Sequence, residues 1–114
     1  MDEKASMILP RSNYGATINA HTNEIYVAGG NTTGGAMTQR CEAYDIDTNV
    51  WRELPPLNEE KTSVSLSVLA GRWLYAMGGY AKDSAGGCAL STIEVLDMQA
   101  VNARWEIIVT KLPN

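Results

Sequence analysis

Few side chains in this 114-residue sequence are suited to chemistry. The single histidine, His21, falls in a predicted hairpin turn, where we favour an exposed turn residue over a general base. Cys41 and Cys88 lack the CxxC spacing of a zinc or redox site, and both are predicted to be reduced and packed as small hydrophobic residues. No nucleophile with its base, metal-ligand cluster or placed carboxylate pair emerges. The sequence therefore predicts a protein that is not an enzyme and carries no metal or cofactor.

Two glycine-containing segments could in principle cradle a phosphate. Residues 32–36 lack the Lys-Ser/Thr pair and the following helix of a P-loop, and residues 83–87 have the same character. Both segments are predicted to be long connections between a second and a third strand. Loops on a rigid scaffold are the usual place for binding, so these connections are candidates for contact with a partner.

The charge and hydropathy of the chain exclude several classes of function. There are 13 acidic and 9 basic residues, giving a net charge of −4, and no Lys/Arg cluster of the kind that binds nucleic acid. No apolar run approaches the roughly 20 residues that span a bilayer, and residues 1–4 do not resemble the start of a signal peptide. We predict a cytoplasmic protein with protein partners, without nucleic-acid or membrane binding.

An internal repeat organises the sequence. Residues 24–30 return as residues 72–79, each a short apolar run that ends in a glycine pair. The second glycine pair follows the first by 49 positions, Asp97 follows Asp45 by 52, and Trp105 follows Trp51 by 54. The second unit is thus longer in its connections, where insertions are tolerated. A repeat of this period predicts an array of similar structural units.

Each unit reads as four strands. In the first unit these are predicted over 15–19, 25–28, 41–46 and 50–53, with polar turns between them. In the second unit, residues 63–69 alternate polar and apolar side chains as a half-buried strand does. Residues 73–77 are apolar on both faces, which predicts a strand covered on both sides. The predicted fold is all-β, with two consecutive four-stranded antiparallel sheets stacked like propeller blades.

The residues that carry the repeat resemble the Kelch motif over nearly the whole chain. The first unit matches it at Arg11, Gly29, Gly30, Tyr44, Trp51 and Pro55. The second retains Gly78, Gly79 and Trp105, but has Lys61 where arginine is usual and Leu96 where tyrosine is usual. The resemblance implies a partial Kelch β-propeller, with a lead-in at 1–10 that we interpret as the end of a preceding blade, a first repeat at 11–57 and a second at 58–114.

Two blades are fewer than a closed propeller needs, which is usually 4 to 8. Three interpretations remain open: a fragment or subset of a longer array, a chain that closes a ring by self-association, and a part that completes the propeller of another protein. We favour the first, because repeat proteins need capped or covered end faces. Additional blades or self-association are expected to close the propeller.

The Kelch resemblance implies a protein-interaction scaffold, and one version of that role is the substrate-recognition part of a ubiquitin-ligase adaptor with an attached BTB domain. The alternative is a cytoskeletal, actin-associated or structural assembly protein. A metal-dependent propeller oxidase is disfavoured, since one histidine cannot supply its metal site. The residues implied to line the binding face are Arg11, Ser12, Asn13, Tyr14, Asn31, Arg40, Lys61, Ser63 and Tyr80.

Overall fold

A computed structural model describes residues 6–7, 9–83, 86–89 and 92–109 of the chain. Within these residues the main chain forms strands and turns, and no helix occurs. The strands of the first repeat are β1 (Arg11–Ser12), β2 (Gly15–Asn19), β3 (Glu24–Ala28), β4 (Asn31–Thr32), β5 (Cys41–Asp45) and β6 (Val50–Leu54). Those of the second repeat are β7 (Ser65–Leu69), β8 (Trp73–Met77), β9 (Tyr80–Asp83), β10 (Gly86–Ala89), β11 (Ile93–Asp97) and β12 (Glu106–Val109).

Four strands of each repeat form an antiparallel sheet in which neighbours along the chain are also neighbours in the sheet. The first blade has the order β2-β3-β5-β6, and the second has the order β7-β8-β11-β12. Gly15 pairs with Ala28 in the first blade, as Ser65 pairs with Met77 in the second. The predictions of an all-β fold and of two consecutive four-stranded antiparallel blades are confirmed.

Left-handed turn residues set the strand boundaries. Asn23 and Asn49 have φ angles of 58° and 57°, in the αL region that asparagine tolerates better than most residues. Each ends a hairpin turn before the next strand begins. The strand predicted over 63–69 starts instead at Ser65, because Ser63 has a φ of 56° and is not extended.

Two short ribbons extend beyond the blades, and the sequence did not predict them. Strand β1 pairs with β4, and β9 pairs with β10. The segments 32–36 and 83–87 were interpreted as plain loops, but Thr32 lies in β4 and the described residues of 83–87 lie in β9 and β10. These strands are only two to four residues long, and β10 begins with two glycines, so their pattern is weak in sequence.

The two ends of the blades differ in the length of their connections. The turn edge carries the turns 20–23, 46–49 and 70–72 and the connection 98–104. The loop edge carries residues 11–14, 29–40 and 55–64 and the described residues of 78–92. The ribbons belong to the loop edge, since they continue past the glycine pairs that end β3 and β8.

The core lies between the two blades. The first blade contributes Tyr26, Ala28, Cys41 and Ala43, and the second contributes Leu74, Ala76, Leu96 and Trp105. All are at most 3% exposed. Leu57, from the segment joining the blades, is 1% exposed and belongs to the same cluster. Burial of this apolar surface is the main favourable term that holds the blades together.

The innermost strands β2 and β7 approach each other closely. A Cβ atom added at Gly15 would lie 2.3 Å from the carbonyl oxygen of Val64, so only glycine allows this spacing. At the other end of β2, the side chain of Asn19 is buried and donates from Nδ2 to the carbonyl oxygen of Gly71 at 3.0 Å. One glycine and one asparagine therefore fix how the second blade sits against the first.

The expectation that β8 is covered on both sides is wrong for this structure. Leu74 and Ala76 are 0% exposed and face the first blade. Trp73, Tyr75 and Met77 point to the opposite face and are only half-buried. Among the described residues, no second sheet covers that face of the second blade.

Candidate interaction surface at the loop edge

The nine residues predicted to line a binding face all lie at the loop edge. Ser12 pairs with Asn31 in the β1–β4 ribbon, and Tyr80 forms the equivalent bridge with Thr62 in the second repeat. The backbone N–H of Ser63 donates to the carbonyl oxygen of Asn13 at 2.8 Å, which joins the two repeats. The fold thus brings the predicted positions to one edge, but burial divides them into two groups.

Arg11 belongs to the buried group, with a side-chain exposure of 0%. Its Nη2 donates to Oε2 of Glu42 at 2.5 Å, and Glu42 is also buried. Its Nη1 donates to the carbonyl oxygens of Gly29, at 3.0 Å, and Arg40, at 2.7 Å, and its Nε donates to that of Leu9. Arg11 therefore holds the glycine turn, the loop and the lead-in segment together from beneath the surface.

Lys61 takes the equivalent place in the second repeat and is also 0% exposed. Its Nζ lies 2.6 Å from Oε2 of Glu94, and Oε1 of Glu94 accepts from the backbone and side chain of Asn58. Within the described residues, neither Lys61 Nζ nor Glu94 Oε2 has a partner of hydrogen-bond geometry, so the pair is ionic without good alignment. In this arrangement Lys61, like Arg11, supports the surface and does not line it.

The acidic partners Glu42 and Glu94 were not among the predicted site residues. They are 1% and 0% exposed, and each sits two residues before the aligned Tyr44 or Leu96. The signal was present in the sequence, since a charged residue recurs at the same place in a strand that is otherwise buried. Buried charges are paired in native structures, so the recurring acidic residue indicates a buried, positively charged side chain in each repeat.

Replacing Lys61 with arginine is expected to raise the free energy of unfolding by about 1 kcal/mol. In the first repeat the guanidinium of Arg11 reaches two carbonyls beside its carboxylate, whereas an ammonium has no planar fork to do so. The equivalent carbonyls in the second repeat belong to Gly78 and Thr92. The backbone N–H of Gly78 donates to the carbonyl oxygen of Thr92 at 2.9 Å, just as that of Gly29 donates to the carbonyl oxygen of Arg40. Urea unfolding of the variant and the parent chain measures the change.

The reciprocal variant Arg11→Lys is the matched control and should lower the stability, because it removes bonds that the fork makes. If Lys61→Arg instead destabilises the chain, the site around Glu94 has no room for the larger guanidinium. The two ion pairs would then be equivalent in their position in the fold but not in the hydrogen bonds that each site allows.

The exposed group forms the surface itself. Tyr14 is 37% exposed and Tyr80 is 43% exposed. Ser12, Asn13, Arg40 and Ser63 are exposed and Asn31 is half-buried. Arg40 pairs with Glu53 at the surface, and both side chains remain about half exposed. Aromatic and arginine side chains are the usual anchors of protein interfaces.

The backbone under this surface is fixed by hydrogen bonds between the repeats. Gly30 donates to the carbonyl oxygen of Lys61 at 2.8 Å, and within the first repeat Leu57 donates to that of Gln39 at 2.7 Å. Gly30 has a φ of 104°, and a Cβ there would lie 2.6 Å from the carbonyl oxygen of Ser12. The exposed side chains thus project from a rigid support.

Two shallow clefts open at the loop edge. One, of about 260 Å³, lies between residues 10–12 and residues 31–33. The other, of about 370 Å³, lies between residues 35–37 and a wall made by Glu59, Glu60 and Ala81. Both are bordered by connections between strands, where side chains of a partner can enter without displacing the core.

Within the described part of the chain, the residues suited to chemistry do not come together in one site. His21 is exposed at the turn edge, against Gly71. Cys41 is buried in the core, and burial raises the pKa of its thiol to about 12, so it stays protonated at neutral pH. Within the described residues, no group of three or more His, Cys, Asp or Glu could hold a metal ion. No helix in that part of the chain is long and apolar enough to cross a membrane.

Known proteins resemble this chain over most of its length. A family model described as the Kelch motif matches residues 12–58. Kelch-like protein 40 of Xenopus laevis is 36% identical over 111 residues, covering 95% of this chain and 17% of the relative. The chain belongs to the Kelch-repeat proteins.

Two further relatives extend the comparison. Kelch-like protein 40 of Homo sapiens is 34% identical over 96% of this chain and 18% of the relative, and Kelch-like protein 23 of Homo sapiens is 31% identical over 87% and 16%. The chain therefore spans less than a fifth of the length of these relatives. Its two antiparallel four-stranded sheets are consistent with Kelch blades, and the family model covers the first of them.

Proposed function

We propose that this chain is a non-enzymatic protein-interaction module that binds a partner protein at its loop edge. The observation that carries the proposal is the arrangement of Tyr14 and Tyr80, two exposed aromatic side chains on a backbone held by bonds between the repeats. The buried pairs of Arg11 and Lys61 keep the charges beneath this surface neutralised. A rigid support with exposed aromatic anchors lowers the entropy cost of binding.

A finer version of the proposal concerns the larger protein to which such blades belong. The Kelch resemblance suggests a substrate-recognition part of a ubiquitin-ligase adaptor, acting in the cytoplasm, with repeats at 11–57 and 58–114. Support comes from the Kelch-like relatives, of which this chain matches about one sixth. A BTB domain in the same gene product would strengthen this version, and its absence would remove it.

Site-specific crosslinking in cells tests the binding surface. A photoreactive benzophenone amino acid at position 14 or 80 should capture a discrete protein, because both side chains are exposed at the loop edge. The same group at Thr48, exposed in a turn at the opposite edge, is the matched control and should not capture that protein.

Once a protein is captured, its affinity for three alanine variants tests whether the two tyrosines contribute to binding. Tyr14→Ala and Tyr80→Ala should weaken binding by about tenfold or more, as loss of an aromatic anchor does. Thr48→Ala should leave the affinity unchanged. Equal capture at all three positions, or unchanged affinity in both tyrosine variants, would overturn the proposal.

A further inference from the structure

Two carboxylates enter the loop edge in the second repeat at positions where the first repeat has none. Because Arg11 and Lys61 are equivalent, Glu59 and Glu60 stand where the first repeat has leucine and proline. Glu59 is half-buried and Glu60 is exposed. The blade itself does not need these acids, since the first repeat forms the same four-stranded sheet without them. The two glutamates are therefore a specific addition to the surface of the second repeat.

The cation beneath these residues is shared among several carboxylates. Lys61 Nζ lies 2.6 Å from Oε2 of Glu94 and 3.7 Å from Oε1 of Glu59. Both Lys61 Nζ and Glu94 Oε2 are buried without an aligned hydrogen-bond partner among the described residues. Together with Glu60, one positive charge accompanies three negative ones, a local net charge of −2, whereas the equivalent arginine of the first repeat faces one buried carboxylate. An acidic site that is short of donors is stabilised by a further cation.

Glu59 and Glu60 form one wall of a cleft that a side chain can enter. The cleft, of about 370 Å³, is bounded on its other sides by Ala81 and by residues 35–37, which carry no charged side chain. Thr92 Oγ1 donates to Oε1 of Glu59 at 3.3 Å, which holds that carboxylate in place. Ala81 is 8% exposed, so the cleft combines a packed apolar surface with an acidic wall. A long side chain with an apolar stem and a cationic head matches both parts.

The cations of the loop edge are not available to an acidic partner. Arg11 and Lys61 are 0% exposed, and each lies against a buried glutamate. Arg40 is exposed, but Glu53 neutralises it. Among the described side chains of this edge, the exposed charge without a counter-charge belongs to Glu60 and is negative. Complementary charges steer association, and like charges reject a wrong partner.

We propose that the cleft at Glu60 receives a lysine or arginine side chain from a basic segment of the partner protein. The inference rests on the proposed function and adds the chemistry of the partner to it. The aliphatic stem packs between Ala36 and Ala81, and the cationic head pairs with the carboxylates of Glu59 and Glu60. An acidic segment meets repulsion at the same place.

Crosslinking at the cleft, combined with charge reversal, tests the inference. The photoreactive benzophenone amino acid is placed at position 36, which is exposed in the cleft wall. It should capture the protein that positions 14 and 80 capture, and mass spectrometry should find a basic segment at the attachment point. Glu60→Lys should reduce this capture by about tenfold. Asp47→Lys makes the same change of net charge at an exposed position of the turn edge, so this matched control should leave the capture unchanged.

A charge swap with the captured segment measures the contact directly. A synthetic peptide of that segment should bind the parent chain, and replacing its lysine or arginine with glutamate should weaken binding by about tenfold. The glutamate peptide should bind the Glu60→Lys variant more tightly than it binds the parent chain, because the swap restores a pair of opposite charges.

The outcomes separate this inference from the proposed function. The inference falls, and the loop edge stays the binding surface, if positions 14 and 80 capture a protein that position 36 does not. It also falls if Glu60→Lys leaves the capture unchanged, or if the captured segment has no lysine or arginine. Equal loss of capture in Glu60→Lys and Asp47→Lys would overturn it too, since net charge alone would then matter. Capture at none of the three positions would remove both proposals.

Discussion

Replacing Arg11 with alanine is expected to lower the free energy of unfolding by about 3–5 kcal/mol, the usual cost of breaking a buried ion pair from one side. The change leaves the carboxylate of Glu42 in the interior without its cation. It also removes the donors to the carbonyl oxygens of Gly29 and Arg40. Urea unfolding, followed by tryptophan fluorescence, measures the loss.

Arg40→Ala is the matched control, since it removes the same side chain from a surface pair. Arg40 and Glu53 are about half exposed, and such pairs contribute about 0–1 kcal/mol. Equal destabilisation by the two variants would mean that the Arg11 pair is accessible to water. That result would also return Arg11 to the set of residues able to meet a partner directly.

Replacing Trp105 with alanine is expected to cost about 3–5 kcal/mol, as for other buried tryptophans. The indole is 3% exposed and packs in the core between the blades. Its Nε1 donates to the carbonyl oxygen of Pro55 at 2.8 Å, so the change also leaves a backbone acceptor without its donor. Because Pro55 lies in the segment that joins the blades, we expect the second blade to detach from the first.

Trp51→Ala offers a comparison between equivalent positions. Trp51 packs against Tyr44, with ring centroids 5.0 Å apart, but it is half-buried and lies outside the core between the blades. We expect a smaller loss than for Trp105→Ala, measured by the same urea titration. A larger loss for Trp51→Ala would contradict this expectation, because it would show that Trp51 contributes more to the free energy of unfolding than Trp105 does.

The blades were predictable because their signals are local. Alternating side chains in β7 and the Asn and Gly residues at the turns fix strands and connections within about ten residues. The repeat then fixes the pairing, since Tyr44 and Leu96 must take the same place in their sheets. The Kelch resemblance rests on the same positions, so fold and family were available together.

The division of the nine predicted binding residues into buried and exposed groups was not predictable in the same way. The burial of Arg11 depends on Glu42, which is 31 positions away and adjacent only in the folded sheet. Arginine is most often a surface residue, so its type alone argues for exposure. The short ribbons were missed for a related reason. β1 and β4 become strands because they pair with each other across the loop edge, and their composition alone does not predict a strand.

The adjacency of Arg11 and Ser12 has a consequence for how such a protein can change during evolution. Arg11 is locked under the surface, while the next three residues, 12–14, are exposed on it. Under the proposed function, substitutions at Ser12 or Tyr14 would alter what is recognised without removing the ion pair beneath them, whereas Arg11, and Asn13 with its φ of 53°, tolerate little. New binding preferences would then arise by sequence drift at positions 12 and 14, with the ion pair beneath them inherited unchanged.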